Sequence, residues 1–171
     1  HEEAFNYWQN SHHDLAMQPA SENTVLGDFN GVDFDYHGSI TRFSNDDSGF
    51  WVTTQGPDGI LEKFPVEYVF GVYPLQQYLI PLAGGRLQAL TIAWDARPQS
   101  EGGQRWYHLY PDEFISHSDP LHWTGPYHNW NARCAECHST NVRKNYNVET
   151  DSYDTSYSEI DVGCEACHSA G

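Results

Sequence analysis

Val32-Asp33-Phe34-Asp35-Tyr36 alternates apolar and acidic side chains one by one. A strand with one buried and one wetted face needs that period of two, so this stretch sets the region around it as β. Working outward, Phe50-Trp51-Val52-Thr53 alternates more weakly. Asp46-Asp47-Ser48-Gly49 and Gly56-Pro57-Asp58-Gly59 are turn clusters between strand candidates. Longer strands are expected over residues 64–72, 77–81 and 87–94, with Gly84-Gly85 turning the chain between the last two, and a final strand over 105–110. The pattern predicts an antiparallel sheet or a small sandwich.

Toward the N-terminus the period changes. Ala4, Phe5, Trp8, His12, Leu15 and Ala16 fall on one face at spacings near three and four, which predicts a helix over residues 2–18. Glu2 and Glu3 suit the positive end of its dipole, and Pro19 marks the stop. Past the β region, residues 98–103 read as a loop. Residues 111–131, rich in His, Trp, Pro and Gly, read as irregular structure wrapped around something, and 141–160 is a polar linker. The fold class is therefore α+β with much irregular structure. It divides into an N-terminal helix within 1–24, a β-rich domain at 25–110 and a cofactor-binding segment at 111–171.

The chain has 171 residues, with 24 acidic against 8 basic side chains and a formal net charge of -16. Such a balance excludes nucleic acid and anionic membrane surfaces as partners and favours a basic protein in any steered encounter. No segment approaches the ~18 consecutive apolar residues of a membrane span. No basic stretch precedes an apolar run, and the chain opens on His1 and closes on Ser169-Ala170-Gly171. It reads as a processed or truncated product.

All four cysteines sit in two short motifs, Cys134-Ala135-Glu136-Cys137-His138 and Cys164-Glu165-Ala166-Cys167-His168. Both are C-x-x-C-H. The spacing lets two thiols add across the vinyl groups of a haem while the adjacent histidine sits beneath the iron as proximal ligand. Three other readings compete. Four thiolates can close a tetrahedral zinc site, a C-x-x-C pair can be a thioredoxin-like redox centre, and each pair can be a structural disulfide. No βαβ pattern surrounds either pair, and histidine directly follows both, so haem c is favoured, two per chain.

A haem that carries electrons usually has a second axial ligand. His12, on the apolar face of the expected helix, and its neighbour His13 are distal candidates. So are His122, in Leu121-His122-Trp123-Thr124-Gly125, and behind it His128 and His108. His117 lies in the same segment, and His37 reads as a surface residue. Met17, the single methionine, is either a thioether ligand or, in the favoured reading, a core residue at a helix end. His1 can be read three ways: as a copper ligand through its amine and imidazole, as an axial ligand to a neighbour's haem, or as a frayed terminus.

Longer strings carry a resemblance. They are Tyr7-Trp8-Gln9 with Ser11-His12-His13-Asp14-Leu15-Ala16-Met17-Gln18, Phe70-Gly71-Val72-Tyr73-Pro74-Leu75-Gln76-Gln77-Tyr78, and Gly84-Gly85-Arg86-Leu87-Gln88. Arg105-Trp106-Tyr107-His108-Leu109-Tyr110-Pro111-Asp112-Glu113 and Leu121-His122-Trp123-Thr124-Gly125 continue them. Over nearly its whole length the chain resembles the periplasmic or extracellular multihaem cytochromes c often fused to tetratricopeptide repeats. The resemblance implies bis-histidine haems and electron transfer. It also implies an earlier C-x-x-C-H whose histidine falls at His1, which would make a third haem, shared or lost, but that motif's cysteines are absent here. Relatives continue past the last motif with a Gly-Pro-Gly-Ser stretch, a further histidine and repeats, and no repeats are assigned to this chain.

The expected function is electron transfer to and from redox partner proteins, in the periplasm or outside the cell, where c-type haem is attached. A sharper version is a subunit that self-associates into a filament of stacked haems, with His1 reaching a neighbour's iron. One alternative is a haem enzyme reducing peroxide or a nitrogen or sulfur oxyanion at an open distal site. Another is a zinc-stabilised binding module.

Overall fold

The computed structural model describes residues 2–168. His1 and residues 169–171 lie outside the described residues, and with them every reading of His1. The helix expected over 2–18 is confined to α1, Glu2–Trp8. Asn10, at a φ of 59°, turns the chain out of the helix, a left-handed conformation that asparagine adopts more readily than most residues. Met17–Pro19 then forms a strand, β1. The apolar spacing at the N-terminus thus serves a helix, a run of turns and a strand in succession.

Four strands follow as an antiparallel meander: β2 (Asn30–Tyr36), β3 (Ser39–Asp46), β4 (Gly49–Gln55) and β5 (Leu61–Pro65). Both turn clusters expected from the sequence are turns here. Asp46 Oδ1 accepts from Ser48 N–H at 2.9 Å, and Gly56 N–H donates to Ile60 O at 2.8 Å.

The strand expected over 64–72 is split between two sheets. β5 ends at Pro65, and the next two amides point to different partners: Val66 N–H donates to Phe50 O in the meander, Glu67 N–H to Leu79 O in the second sheet. That second sheet holds β6 (Tyr68–Phe70), β7 (Leu75–Leu82), β8 (Arg86–Ala89), β9 (Ile92–Asp95) and β10 (Arg105–His108). Its order is β1-β6-β7-β9-β10, with β8 also on β7. The strand expected over 87–94 is therefore two strands, and β1 joins the sheet through Met17 opposite Phe70.

The second sheet is buried on both faces, and β7 shows how. Tyr78 and Ile80 point into a core shared with the meander, where Phe29, Phe43, Val52, Trp94 and Trp106 pack. Leu79, between them in sequence, points the other way, into a second core with Met17, Phe70, Ala89, Trp130 and Ala135. The period of two thus places the sandwich core on one face and the cysteine-bearing segment on the other. Phe43 stacks on Trp106 with ring centroids 3.6 Å apart, and four rings meet Phe29 edge-on. Such arrangements add to the energy of burial itself.

Candidate cofactor-attachment site

The first motif is seated on the second core. Asn129 caps the short helix α2 (Trp130–Arg133), its side chain accepting from Ala132 N–H. The helix α3 (Ala135–His138) follows directly. Trp130 and Ala135, the apolar residues of these two turns, fill the second core. Around them runs a buried amide network. Asn131 Oδ1 accepts from Leu87 N–H at 2.8 Å, while its Nδ2 donates to Gly85 O at 3.1 Å and to Thr155 Oγ1 at 2.9 Å. Asn129 Nδ2 donates to Gln88 Oε1, and Gln88 Nε2 donates to the Trp123 and Gly125 carbonyls. β8 is thereby tied to the chain entering the first motif.

The turn between β7 and β8 makes a second tie. Gly84 and Gly85 have φ of 72° and 67°, and a Cβ at Gly85 would collide with the Tyr153 carbonyl oxygen. This close approach lets Tyr153 N–H donate to Gly84 O at 2.8 Å, and Arg86 pairs with Asp151 at 2.6 Å. The strands β11 (Tyr146–Asn147) and β12 (Ser152–Tyr153), a short exposed hairpin between the motifs, are thus held against the second sheet.

The end of the first motif meets the start of the second. Ser139 Oγ donates to Ile160 O at 2.8 Å. Thr140 Oγ1 donates to Asp161 O at 2.9 Å and accepts from Gly163 N–H at 2.8 Å. Gly163 is the N-cap of α4, Cys164–Cys167. The N-terminal segment closes on the same junction: Trp8 Nε1 donates to Val162 O at 2.8 Å, and Val162 N–H donates to His13 O at 3.1 Å. His12 lies beside Tyr73, with ring centroids 6.5 Å apart. Of the candidate distal histidines, His12 and His13 are therefore the pair brought to the second motif, and both rings are exposed.

The donor set fits a covalently held haem. No thiol is in a disulfide, and Cys137, Cys164 and Cys167 are exposed. Free cysteine is among the most buried residue types, so three exposed thiols are out of character unless they are to be bonded. Burial pushes the half-buried Cys134 thiol up, and the neighbouring Cys137 adds to it. His138 Nδ1 is buried with no hydrogen-bond partner, while its ring meets the edge of Phe70 at 5.4 Å. An unpartnered buried nitrogen is costly. The fold supplies no hydrogen bond to this one, and the ring's seat is set by packing against Phe70. Among the described residues no three His, Cys, Asp or Glu side chains are grouped to hold a metal ion. The two cysteine pairs are thus not gathered into one closed zinc site. His168 is exposed.

His108 and His122 lie elsewhere. With Tyr36, Thr41, Thr54 and Thr91 they line a cavity of about 40 Å³, to which no residue of either motif contributes. Both rings are engaged: His108 Nδ1 accepts from Tyr110 N–H at 3.1 Å, and His122 Nδ1 shares a hydrogen bond with Thr124 Oγ1 at 2.8 Å. Burial pulls each down to about 4. His128 is buried beside Tyr110, its Nε2 without a partner, and burial lowers it too. His117 and His37 are exposed. Met17 is fully buried in the second core, with Ser139 Oγ 3.8 Å from its sulfur. It is a core methionine as favoured, but on a strand rather than at a helix end.

The sequence reading missed the residues that build the junction. Asn129, Asn131 and Thr140 are polar residues beside cysteine motifs, and no periodicity marks them as buried. The cluster Asn129-Trp130-Asn131 immediately before the first motif was the one available signal.

Residues 103–169 match the family described as Cytochrome c554 and c-prime. The match covers less than half of the chain, and it contains both cysteine motifs. It supports a c-type cytochrome, with covalently bound haem c and electron transfer. No curated protein and no solved structure matches the chain.

Proposed function

We propose that this chain is a multihaem c-type cytochrome carrying electrons in the periplasm or outside the cell. One haem is bound through Cys134 and Cys137 and a second through Cys164 and Cys167, with His138 and His168 as proximal ligands. The observation that carries the reading is the junction: the residue pair after His138 is hydrogen-bonded to the residues before Cys164. Two cofactor attachment points are thereby held together, as passage of an electron between them requires.

His12 or His13 is the distal ligand this arrangement favours, because His13 O is bonded to Val162, two residues ahead of Cys164. His108 and His122 belong to the sandwich interior, where a cavity of about 40 Å³ has room for a water molecule and not for a porphyrin. When bound, a haem capped by two histidines supplies one-electron redox chemistry. The chain's own part is to orient and to select. Phe70 packs on the His138 ring, and burial together with the nearby Glu159 and Asp14 holds the carboxyl of Asp161, three residues ahead of Cys164, above its ordinary range. With a net charge of -16, the surface favours a basic redox partner. No helix among the described residues is long and apolar enough to cross a membrane.

The test is a pyridine haemochrome spectrum with an intact mass. Two c-type haems with bands of six-coordinate low-spin iron are expected, and replacing His168 should abolish one low-spin signal. A colourless protein of unmodified mass would overturn the reading.

A further inference from the structure

We propose that Thr140 is a positioning residue that sets the mutual orientation of the two haem-attachment motifs, so that the relation between the cofactors is fixed by this buried side chain and not by the linker. The inference rests on the haem reading above.

Thr140 is 0% exposed and stands two residues after His138. It makes five hydrogen bonds, all to the segment leading into the second motif, one of them from Ser158 Oγ to its carbonyl at 3.3 Å. Its N–H donates to Glu159 O at 3.0 Å and its O accepts from Ser158 N–H at 2.9 Å. Its hydroxyl donates to Asp161 O and accepts from Gly163 N–H. A hydroxyl with one donor and one acceptor partner has its rotation fixed. Here the acceptor's partner is the backbone N–H of the cap residue of α4, immediately before Cys164. Packing at that point is tight: a Cβ at Gly163 would displace the end of the Glu159 side chain and lie 3.3 Å from Thr140 Oγ1.

The linker is built differently. Its tip projects into solvent, with Val148 80% exposed. Loops of that kind accept insertions with little effect on what they connect. A chain in which linker length set the spacing would respond to an insertion at the tip. A chain held by Thr140 would not.

The experiment compares the haem-loaded wild type with T140V, T140S and a Gly-Ser insertion between Val148 and Glu149. Intact mass and a haemochrome spectrum first count the haems. The Soret circular dichroism couplet then reports their relative orientation, which a loss of stability alone does not alter. We expect T140V to keep two haems with a diminished couplet, T140S to restore the wild-type couplet, and the insertion to leave it unchanged. A T140V couplet equal to the wild type's, or an insertion that shifts the couplet as much as T140V does, overturns the proposal. Should T140V not fold, T140A takes its place, since it removes the same two hydroxyl bonds: a changed couplet supports the clamp, and an unchanged one overturns it. Wild type lacking two haems is a separate failure, of the haem reading itself, and the mass reveals it before any couplet is recorded.

Discussion

The two C-x-x-C-H motifs are alike in sequence and unlike in setting. The first is seated: Ala135 and Trp130 fill the second core, Ser139 and Thr140 are buried, and an amide network fastens the entering chain to β8. The second is hung: α4 contains no buried residue, and Cys164, Cys167 and His168 are all exposed. The difference teaches that a cofactor motif need not be held by its own packing. One seated motif can hold another, provided that a few buried hydrogen bonds join them.

The largest effect should come from removing the seat. Trp130 is 1% exposed, and Trp130→Ala is expected to cost about 3–5 kcal/mol in a urea titration, as large aromatic truncations in cores do. A loss under about 1 kcal/mol would break the comparison. Next comes the network. Asn131→Ala leaves Leu87 N–H and Gly85 O without their partner, at a cost of about 1–3 kcal/mol, measured in the same titration.

Acid probes the opposite face of the second sheet. Burial holds His108 and His122 down to about 4, against a free value of 6.5. The unfolded chain therefore binds more protons between those values. The stabilisation is complete above pH 6.5 and is lost as pH falls toward 4. Melting temperatures should decline across that window, and His122→Gln should flatten the decline. An unaltered slope would count against burial as the cause. The smallest effect belongs to the hung motif. Glu165 is exposed on α4, and Glu165→Ala should change stability by no more than ~0.5 kcal/mol. A loss as large as that of Asn131→Ala would mean that α4 is packed after all.

How much of this could be read beforehand follows from which residues carry local signals. The alternation at Val32–Tyr36, the turn glycines and the cysteine spacing are local, and they predict the β character, the reversals and the attachment chemistry. The helix over 2–18 overshoots because apolar spacing cannot tell that Asn10 leaves the helix or that Met17 finds Phe70, fifty-three positions away. The division at Pro65 was hidden for the same reason, since one amide bonds each sheet. Thr140 and Asn131 were invisible as site residues. A polar side chain buried by partners about twenty or forty positions distant looks, in sequence, like any surface residue.

The two-faced second sheet also has a consequence in time. Synthesis runs from the N-terminus, and every strand of both large sheets has been made by His108, ahead of either cysteine pair. The meander joins neighbours through short turns, contacts that close quickly. The cysteine pairs thus come, in chain order, after two sheets whose strands are complete, with Cys137, Cys164 and Cys167 open to solvent. The strand pairing of both large sheets therefore depends on no residue of either motif.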